Sequence, residues 1–181
     1  MIDPNCNNIL YFCARSGNGL WKSTDYGETW AQVESFTNVG NYVEDPEFEY
    51  SADNIGLCFV TFDSAKSKPG EPTKDIYVGV ADKENPLYVS HDAGETWEPV
   101  SGQPTEKTFT QHNKDALTIG IPHHAVISDD GMLYVTYGDR CGPYQCDDGA
   151  VYKYNTNTNE WKDITPPTGV DWDGTEKHEN W

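Results

Sequence analysis

Basic residues are scarce in this chain. Twelve Lys and Arg stand against 30 Asp and Glu over 181 residues, a formal net charge of -18. That balance repels phosphate backbones and anionic headgroups, so neither nucleic acid nor an anionic membrane is an expected partner. No run of 18 apolar residues occurs, so no helical membrane span is encoded. No signal-peptide pattern is visible either. No stretch carries convincing amphipathic-helix periodicity, which points away from helical folds. Arginine is limited to Arg15 and Arg140, too few for a site built on an arginine cluster. The cysteines (Cys6, Cys13, Cys58, Cys141 and Cys146) do not have zinc-site spacing, and neither a metal nor a cofactor is expected.

What the chain does have is a repeat. Ser23-Thr24-Asp25-Tyr26-Gly27-Glu28-Thr29-Trp30 returns 67 residues later as Ser90-His91-Asp92-Ala93-Gly94-Glu95-Thr96-Trp97. Both have the form S-x-D-x-G-x-T-W, the Asp-box. Short apolar segments flank each copy, so each box reads as the turn of a hairpin. Asp25 and Asp92 can bond the backbone of their own turns, and Gly27 and Gly94 supply the positive φ. Ser23 and Ser90 tie down further backbone groups. Trp30 and Trp97 are expected to fill the seam beside the next repeat. Turn chemistry accounts for every residue type, so Asp25 and Asp92 read as structural and not as catalytic carboxylates.

A third copy is degenerate. Val151 to Tyr154, the Asn/Thr run to Glu160, then Trp161 to Ile164 align with Leu87 to Val100. Repeats of this length built from strands mean β-propeller blades. Strands are expected at 9–14, 20–23 and 30–33, then 56–62, 76–80, 87–90 and 97–100. The third set is 125–128, 133–137, 151–154 and 161–164. The fold class is therefore all-β: a partial β-propeller of about three four-stranded antiparallel blades with Asp-box turns. Residues 1–54 read as an incomplete first blade and connection, 55–122 as the second blade and connection, and 123–165 as the third blade. Residues 166–181 read as a tail or shortened connection. A ring needs about four to eight blades, so the expectation is a piece of a larger propeller or a chain completed by partners.

Cys141 and Cys146 flank a short loop and are the expected disulfide if the compartment is oxidising. Cys6 and Cys13 are a second candidate pair. Cys58 sits in an apolar strand and reads as a buried thiol. In a four-stranded meander the Asp-boxes share one face with the first-to-second turns. The longer loops fall on the opposite face, where binding is expected. Four residues there are the candidate ligand contacts. Asn18 lies between Gly17 and Gly19, with an amide that both donates and accepts. Tyr42 and Tyr144 offer stacking rings and hydroxyls. His123 opens the innermost strand of its blade; a backbone-bonded neutral histidine is its equal alternative. Aromatic faces with polar edges suit sugar rings.

The stretch Arg15-Ser16-Gly17-Asn18-Gly19-Leu20-Trp21-Lys22-Ser23-Thr24-Asp25-Tyr26-Gly27 resembles glycoside hydrolase family 74 xyloglucanases. The likeness continues through Ser35-Phe36-Thr37, Gly56 to Asp63, Val78 to Asp82, Val89 to Trp97, Pro122-His123, Gly142-Pro143-Tyr144 and Val151 to Tyr154. It runs to about Pro166. The Asp-box alone is shared with sialidases and sortilin-like receptors; the ordered set is what points to this family. The resemblance implies two seven-bladed propellers with a cleft between them. It also implies inverting hydrolysis of the xyloglucan backbone by two Asp residues, far enough apart to admit a water. The family's T-D-[VI]-G-G context for one of them does not occur here, and neither does the context of the other. The chain resembles the middle of the first propeller, and no catalytic residue carries over.

The expected function is therefore a fragment of a xyloglucan-hydrolysing endo-β-1,4-glucanase that supplies part of the glucan cleft and lacks the catalytic pair. Alone it is expected to be inactive. Its expected partners are plant cell-wall xyloglucan or a related β-glucan, and the rest of its own propeller pair, in an extracellular setting. The alternative is a non-catalytic Asp-box propeller that binds a glycan or a protein. A sialidase is disfavoured by the two arginines and the acidic charge.

Overall fold

The computed structural model describes residues 1–43, 47, 54–105, 120–138 and 149–165. Among them are eleven strands in three antiparallel meanders. The first blade holds β1 (Leu10–Cys13), β2 (Leu20–Ser23) and β3 (Ala31–Gln32). The second holds β4 (Leu57–Asp63), β5 (Asp75–Val80), β6 (Leu87–Ser90) and β7 (Glu98–Pro99). The third holds β8 (Ile121–Ile127), β9 (Met132–Gly138), β10 (Gly149–Asn155) and β11 (Glu160–Asp163). A 3-10 turn at Ser64–Lys66 is the helical element among the described residues. β8 starts at Ile121 and not at Ala125, because Ile121 and Pro122 already pair with Gly138 and Tyr137.

The first blade is short by a strand. Ile2 bridges Leu10, and the Tyr11 amide donates to the Met1 carbonyl at 2.9 Å. The first two residues thus occupy the edge of β1 where β5 and β9 carry β4 and β8. Pair registers align the three blades: Tyr11 opposes Lys22, Tyr77 opposes Val89, and Tyr134 opposes Lys153. One register step along, Phe12, Val78 and Val135 are equivalent in the same way.

Each Asp-box closes its own turn. Asp25 accepts from the Thr29 amide at 2.9 Å and the Thr29 hydroxyl at 2.5 Å. Asp92 accepts from the Thr96 amide at 2.8 Å and the Thr96 hydroxyl at 2.6 Å. The Ser23 and Ser90 hydroxyls receive the amides of Gly27 and Gly94 at 2.9 and 2.8 Å. Tyr26 and Ala93 take left-handed φ values of 63° and 61°, so both turns present the following peptide alike. Donors gathered on an anion favour the charged form, and Thr29 and Thr96 hold both carboxyls down to about 2.

The blades stack face to face. Leu20, Val78 and Val80 are fully buried between the first and second, and Leu87, Leu133 and Val135 between the second and third. Each such side chain contributes about 1.5–3 kcal/mol relative to exposure. The box tryptophans lean toward the preceding blade, not the next one. Trp97 meets Phe36 edge-on at 5.1 Å between ring centroids, and Phe36 lies on the connection leaving β3. Trp161 donates to the Ser101 carbonyl at 3.1 Å, on the connection leaving β7. The connection from one blade's outermost strand runs under the next blade's Trp, which sets this direction. Trp30 meets Phe12 of its own blade edge-on, at 6.4 Å, and stays 41% exposed.

Polar groups lock the seams at the Asp-box end. Lys66 sits 3.1 Å from Asp63 and 3.0 Å from Asp75, and donates to the Thr156 hydroxyl at 3.0 Å. The Thr156 hydroxyl also reaches Asp63 at 3.2 Å, so the second and third blades share one charged knot. Cys6 and Cys13 are both free thiols, which corrects the second candidate disulfide. They lie toward opposite ends of β1: Cys6 faces Asn8, and Cys13 packs beside Cys58. Cys141 and Cys146 lie outside the described residues.

Candidate functional site

Among the described residues, the end of the blades opposite the Asp-boxes includes the turn after β1 and parts of the connection from β3 to β4. The turn after β1 is closed by the Ala14 amide on the Gly19 carbonyl at 3.0 Å, with positive φ at Ser16, Gly17 and Gly19. Asn18 holds that turn from its tip. Its amide nitrogen donates to the Arg15 carbonyl at 2.8 Å and the Ser16 carbonyl at 3.4 Å. Its backbone carbonyl accepts the Trp21 indole N–H at 2.8 Å. The amide therefore has a structural duty, and Asn18 remains solvent-exposed.

Tyr42 is pinned by backbone. Its amide donates to the Ala81 carbonyl at 3.2 Å, and its carbonyl accepts from the Ile55 amide at 3.0 Å. Its half-buried ring packs against the cluster of Ile55, Ala81 and Ile121. Nearby, Asp82 receives the Glu84 and Asn85 amides at 2.8 Å each and the Asn38 amide at 3.2 Å, so it serves the loops and not a ligand. Gly56 lets the connection cross the end of β1. A methyl group there would stand 2.9 Å from the Ala14 carbonyl oxygen, at a φ of 86°.

His123 is exposed at an irregularity of the β8–β9 register, between Pro122 and His124. A side chain at Gly138 would come within 3.0 Å of its Nε2, so that glycine makes room for the imidazole. His123 lines an open recess of about 270 Å³ together with Arg15, Ile55, Ile121, Cys13 and Cys58. Among the described residues no Asp or Glu lines it. Burial, with Cys58 beside it, pushes the Cys13 thiol up to about 12, so Cys13 is a neutral wall of the recess. Among the described residues no His/Cys/Asp/Glu group can hold a metal ion.

The structure thus brings His123 to the recess directly, Tyr42 to its wall through Ile55 and Ile121, and Asn18 to its rim through the Arg15 carbonyl. Tyr144 lies outside the described residues. Arg15 is the residue missed as a candidate: it is a cation at the recess, one step before the turn that drew attention to Asn18. The signal available was its place at the head of the Gly-Asn-Gly turn.

Three stacked antiparallel meanders with Asp-box turns define a β-propeller. By sequence the chain belongs with the xyloglucanases of glycoside hydrolase family 74. It is 55% identical over 166 residues to a xyloglucanase of Acetivibrio thermocellus, covering 91% of this chain and 18% of that protein. It is 46% identical over 174 residues to a xyloglucanase of Hypocrea jecorina, covering 94% of this chain and 19% of that protein. The crystal structure of a family 74 xyloglucanase from Xanthomonas campestris superposes with a TM-score of 0.75 at 31% identity, over 99% of this chain and 23% of that one. No family model matches the chain. The chain therefore spans about a fifth of the length of these relatives.

Proposed function

We propose that this chain is a segment of a xyloglucan-hydrolysing endo-β-1,4-glucanase and contributes glucan-binding surface without catalytic acids. The observation that carries this reading is the 55% identity over 166 residues with a xyloglucanase. The loop end supports it: amide, imidazole, guanidinium and phenol groups converge there on a rigid stack of blades. Inverting hydrolysis needs two carboxyl groups across a water, and none lines the recess among the described residues. The reacting pair then stands elsewhere in the parent enzyme. Xyloglucan is a cell-wall polymer too large to enter a cell intact, so the reading also sets the enzyme outside it.

Reducing-sugar release and affinity electrophoresis on xyloglucan test this together. The 181-residue chain is expected to release no sugar. It is also expected to be retarded weakly by xyloglucan and not by an unrelated neutral polymer. Hydrolysis abolished by changing one of the chain's own carboxylates would overturn the first half. Equal migration in both gels would favour the second reading, a non-catalytic propeller with another partner, for which the absence of Asp and Glu among the described residues lining the recess is the supporting observation.

A further inference from the structure

Two cysteines of different blades meet at the loop end of the first seam. The chain leading into β4 runs antiparallel to the end of β1. The Ser16 amide donates to the Asn54 carbonyl at 2.9 Å, and the Leu57 amide to the Ala14 carbonyl at 3.4 Å. Between these bonds, a methyl group on Gly56 would stand 3.0 Å from the Arg15 Cα. Each step forward toward β4 is therefore a step back along β1. The pair that follows Leu57 and Ala14 is Cys58 and Cys13, and both line the recess beside His123. Residues so opposed have Cα atoms about 4.5–5.5 Å apart, inside the span of about 4.4–6.8 Å that a disulfide bridges.

Two further observations place the sulfurs together. Cys58 sits at the register shift between Leu57 and Phe59, and a bulge re-aims the side chain it carries. After burial, the next cause raising the Cys13 thiol is the charge of Cys58. The adjacency belongs to the seam itself, because the seam between the second and third blades repeats it. Pair registers make Ala81 the equivalent of Arg15 and Ile121 the equivalent of Gly56, and Ala81 and Ile121 pack in one cluster. His123 occupies the bulge of the third blade as Cys58 does that of the second. The equivalent of Cys13 in the second blade is Gly79, so the first seam is where two thiols face each other.

We propose that Cys13 and Cys58 form a disulfide that staples the first blade to the second when the chain folds in the presence of a disulfide oxidant such as oxidised glutathione. One protein thiolate attacks the glutathione disulfide and releases a glutathione thiolate. The other protein thiolate attacks the mixed disulfide and releases the second. Two protein thiols thus give up two electrons, oxidised glutathione is reduced to two thiols, and the two protons end on them. Burial holds Cys13 protonated, so exchange in the already folded chain is slow at neutral pH and quickens as pH rises. The staple closes a loop of about 45 residues, long enough to restrict the unfolded chain substantially. The inference rests on the seam and not on the carbohydrate reading, so either can fail alone.

Refolding from urea in a glutathione mixture, set against refolding in dithiothreitol, decides it. After alkylation and trypsin, the oxidised chain is expected to show the peptide 1–15 linked to the peptide 23–66, which holds Cys58. Reduction is expected to separate them. Cys6 shares the first peptide with Cys13, so the link is expected to persist in Cys6→Ser and to vanish in Cys13→Ala and in Cys58→Ala. The oxidised wild type is expected to melt about 5–10 °C above the reduced one, a difference lost in Cys58→Ala. Full alkylation of Cys13 and Cys58 after oxidative refolding would overturn the proposal. So would a link that survives in Cys13→Ala, or a bridge between Cys6 and Cys13 inside the peptide 1–15. Should Cys13→Ala lose its thermal transition, Cys58→Ala with Cys6→Ser carries the same mapping from the other side of the seam.

Discussion

The Tyr11 hydroxyl donates to the Ala93 carbonyl oxygen at 3.2 Å, across 82 residues of sequence and one blade seam. The acceptor is the peptide that the left-handed Asp-box turn pushes outward. A turn closed by Asp92 and Ser90 thus presents a carbonyl that the preceding blade reads. The box has a second role beyond closing its hairpin: it sets the register of one blade on another.

Tyr11→Phe removes that donor while Lys22 still satisfies the carbonyl. The expected cost is at the low end for a hydrogen bond, about 0.5–1 kcal/mol. Tyr11→Ala also empties a site where the ring is 1% exposed, and is expected to cost about 3–5 kcal/mol. Urea unfolding with an unchanged slope checks both values.

Gly27 and Gly94 separate backbone strain from the seam. Both hold a φ of 90°, where any side chain is strained. A methyl group at Gly27 meets its nearest atom, on Trp30, at 3.7 Å, whereas at Gly94 it meets Tyr11 Oη at 2.5 Å. Gly27→Ala is expected to cost about 1–2 kcal/mol for the left-handed backbone alone. Gly94→Ala is expected to cost about 1–3 kcal/mol more, for the overpacked seam. Equal denaturation midpoints for the two variants would contradict the seam geometry.

This is also where the limits of sequence reading fall. The turn at Asp25 is legible because the Asp25 and Ser23 side-chain bonds that close it all lie within six residues. The missing strand before β1 is legible because strands are counted back from the box. The direction in which Trp97 leans is not, because it depends on the connection through Phe36, 61 residues earlier. The equivalence of Tyr11, Tyr77 and Tyr134 is hidden by unequal loop lengths and emerges from pair register. Arg15 joins His123 only through the stacking of β4 against β8, which no local pattern encodes.

The Asp-box carboxyls impose an acid limb on stability. Asp25 and Asp92 sit at about 2 in the folded chain, below the ordinary 3.8. Depressed folded values mean stabilisation that is complete above about pH 4 and lost as pH falls through about 2. Carboxyl NMR titration is expected to place both groups near 2. Thr29→Ala and Thr96→Ala, which delete the hydroxyl donors, are expected to move Asp25 and Asp92 respectively back toward 3.8. A titration of the wild-type groups at the ordinary value would contradict the turn as described.

Lys66 joins the 1% exposed Asp63 and the buried Asp75 to Thr156 of the third blade. Lys66→Met leaves two inward carboxylates without their cation. A fully buried pair loses about 3–5 kcal/mol on such a change, and with the lysine one-third exposed about 2–3 kcal/mol is expected. Because the lost contacts span the second and third blades, amide exchange is expected to accelerate more in β9 and β10 than in β1 and β2. Uniform acceleration would mean that the knot does not hold that seam.

The glucan-facing reading of Tyr42 can be separated from its packing. Its ring lies on Ile55, Ala81 and Ile121, so Tyr42→Ala lowers stability whether or not a sugar touches it. Tyr42→Phe keeps the ring and removes only the hydroxyl. In a full-length enzyme carrying this segment, Tyr42→Phe is expected to raise KM for xyloglucan about threefold to tenfold while costing less stability than Tyr42→Ala, the worth of one hydrogen bond to substrate. Asn18→Ala differs, since its amide nitrogen also holds the Arg15 carbonyl. It is expected to raise KM and loosen the turn together, seen as faster exchange of the Asn18 amide that closes on Arg15. Unchanged KM in both variants would leave Tyr42 and Asn18 as structural residues and move the glucan contact away from this end of the first blade.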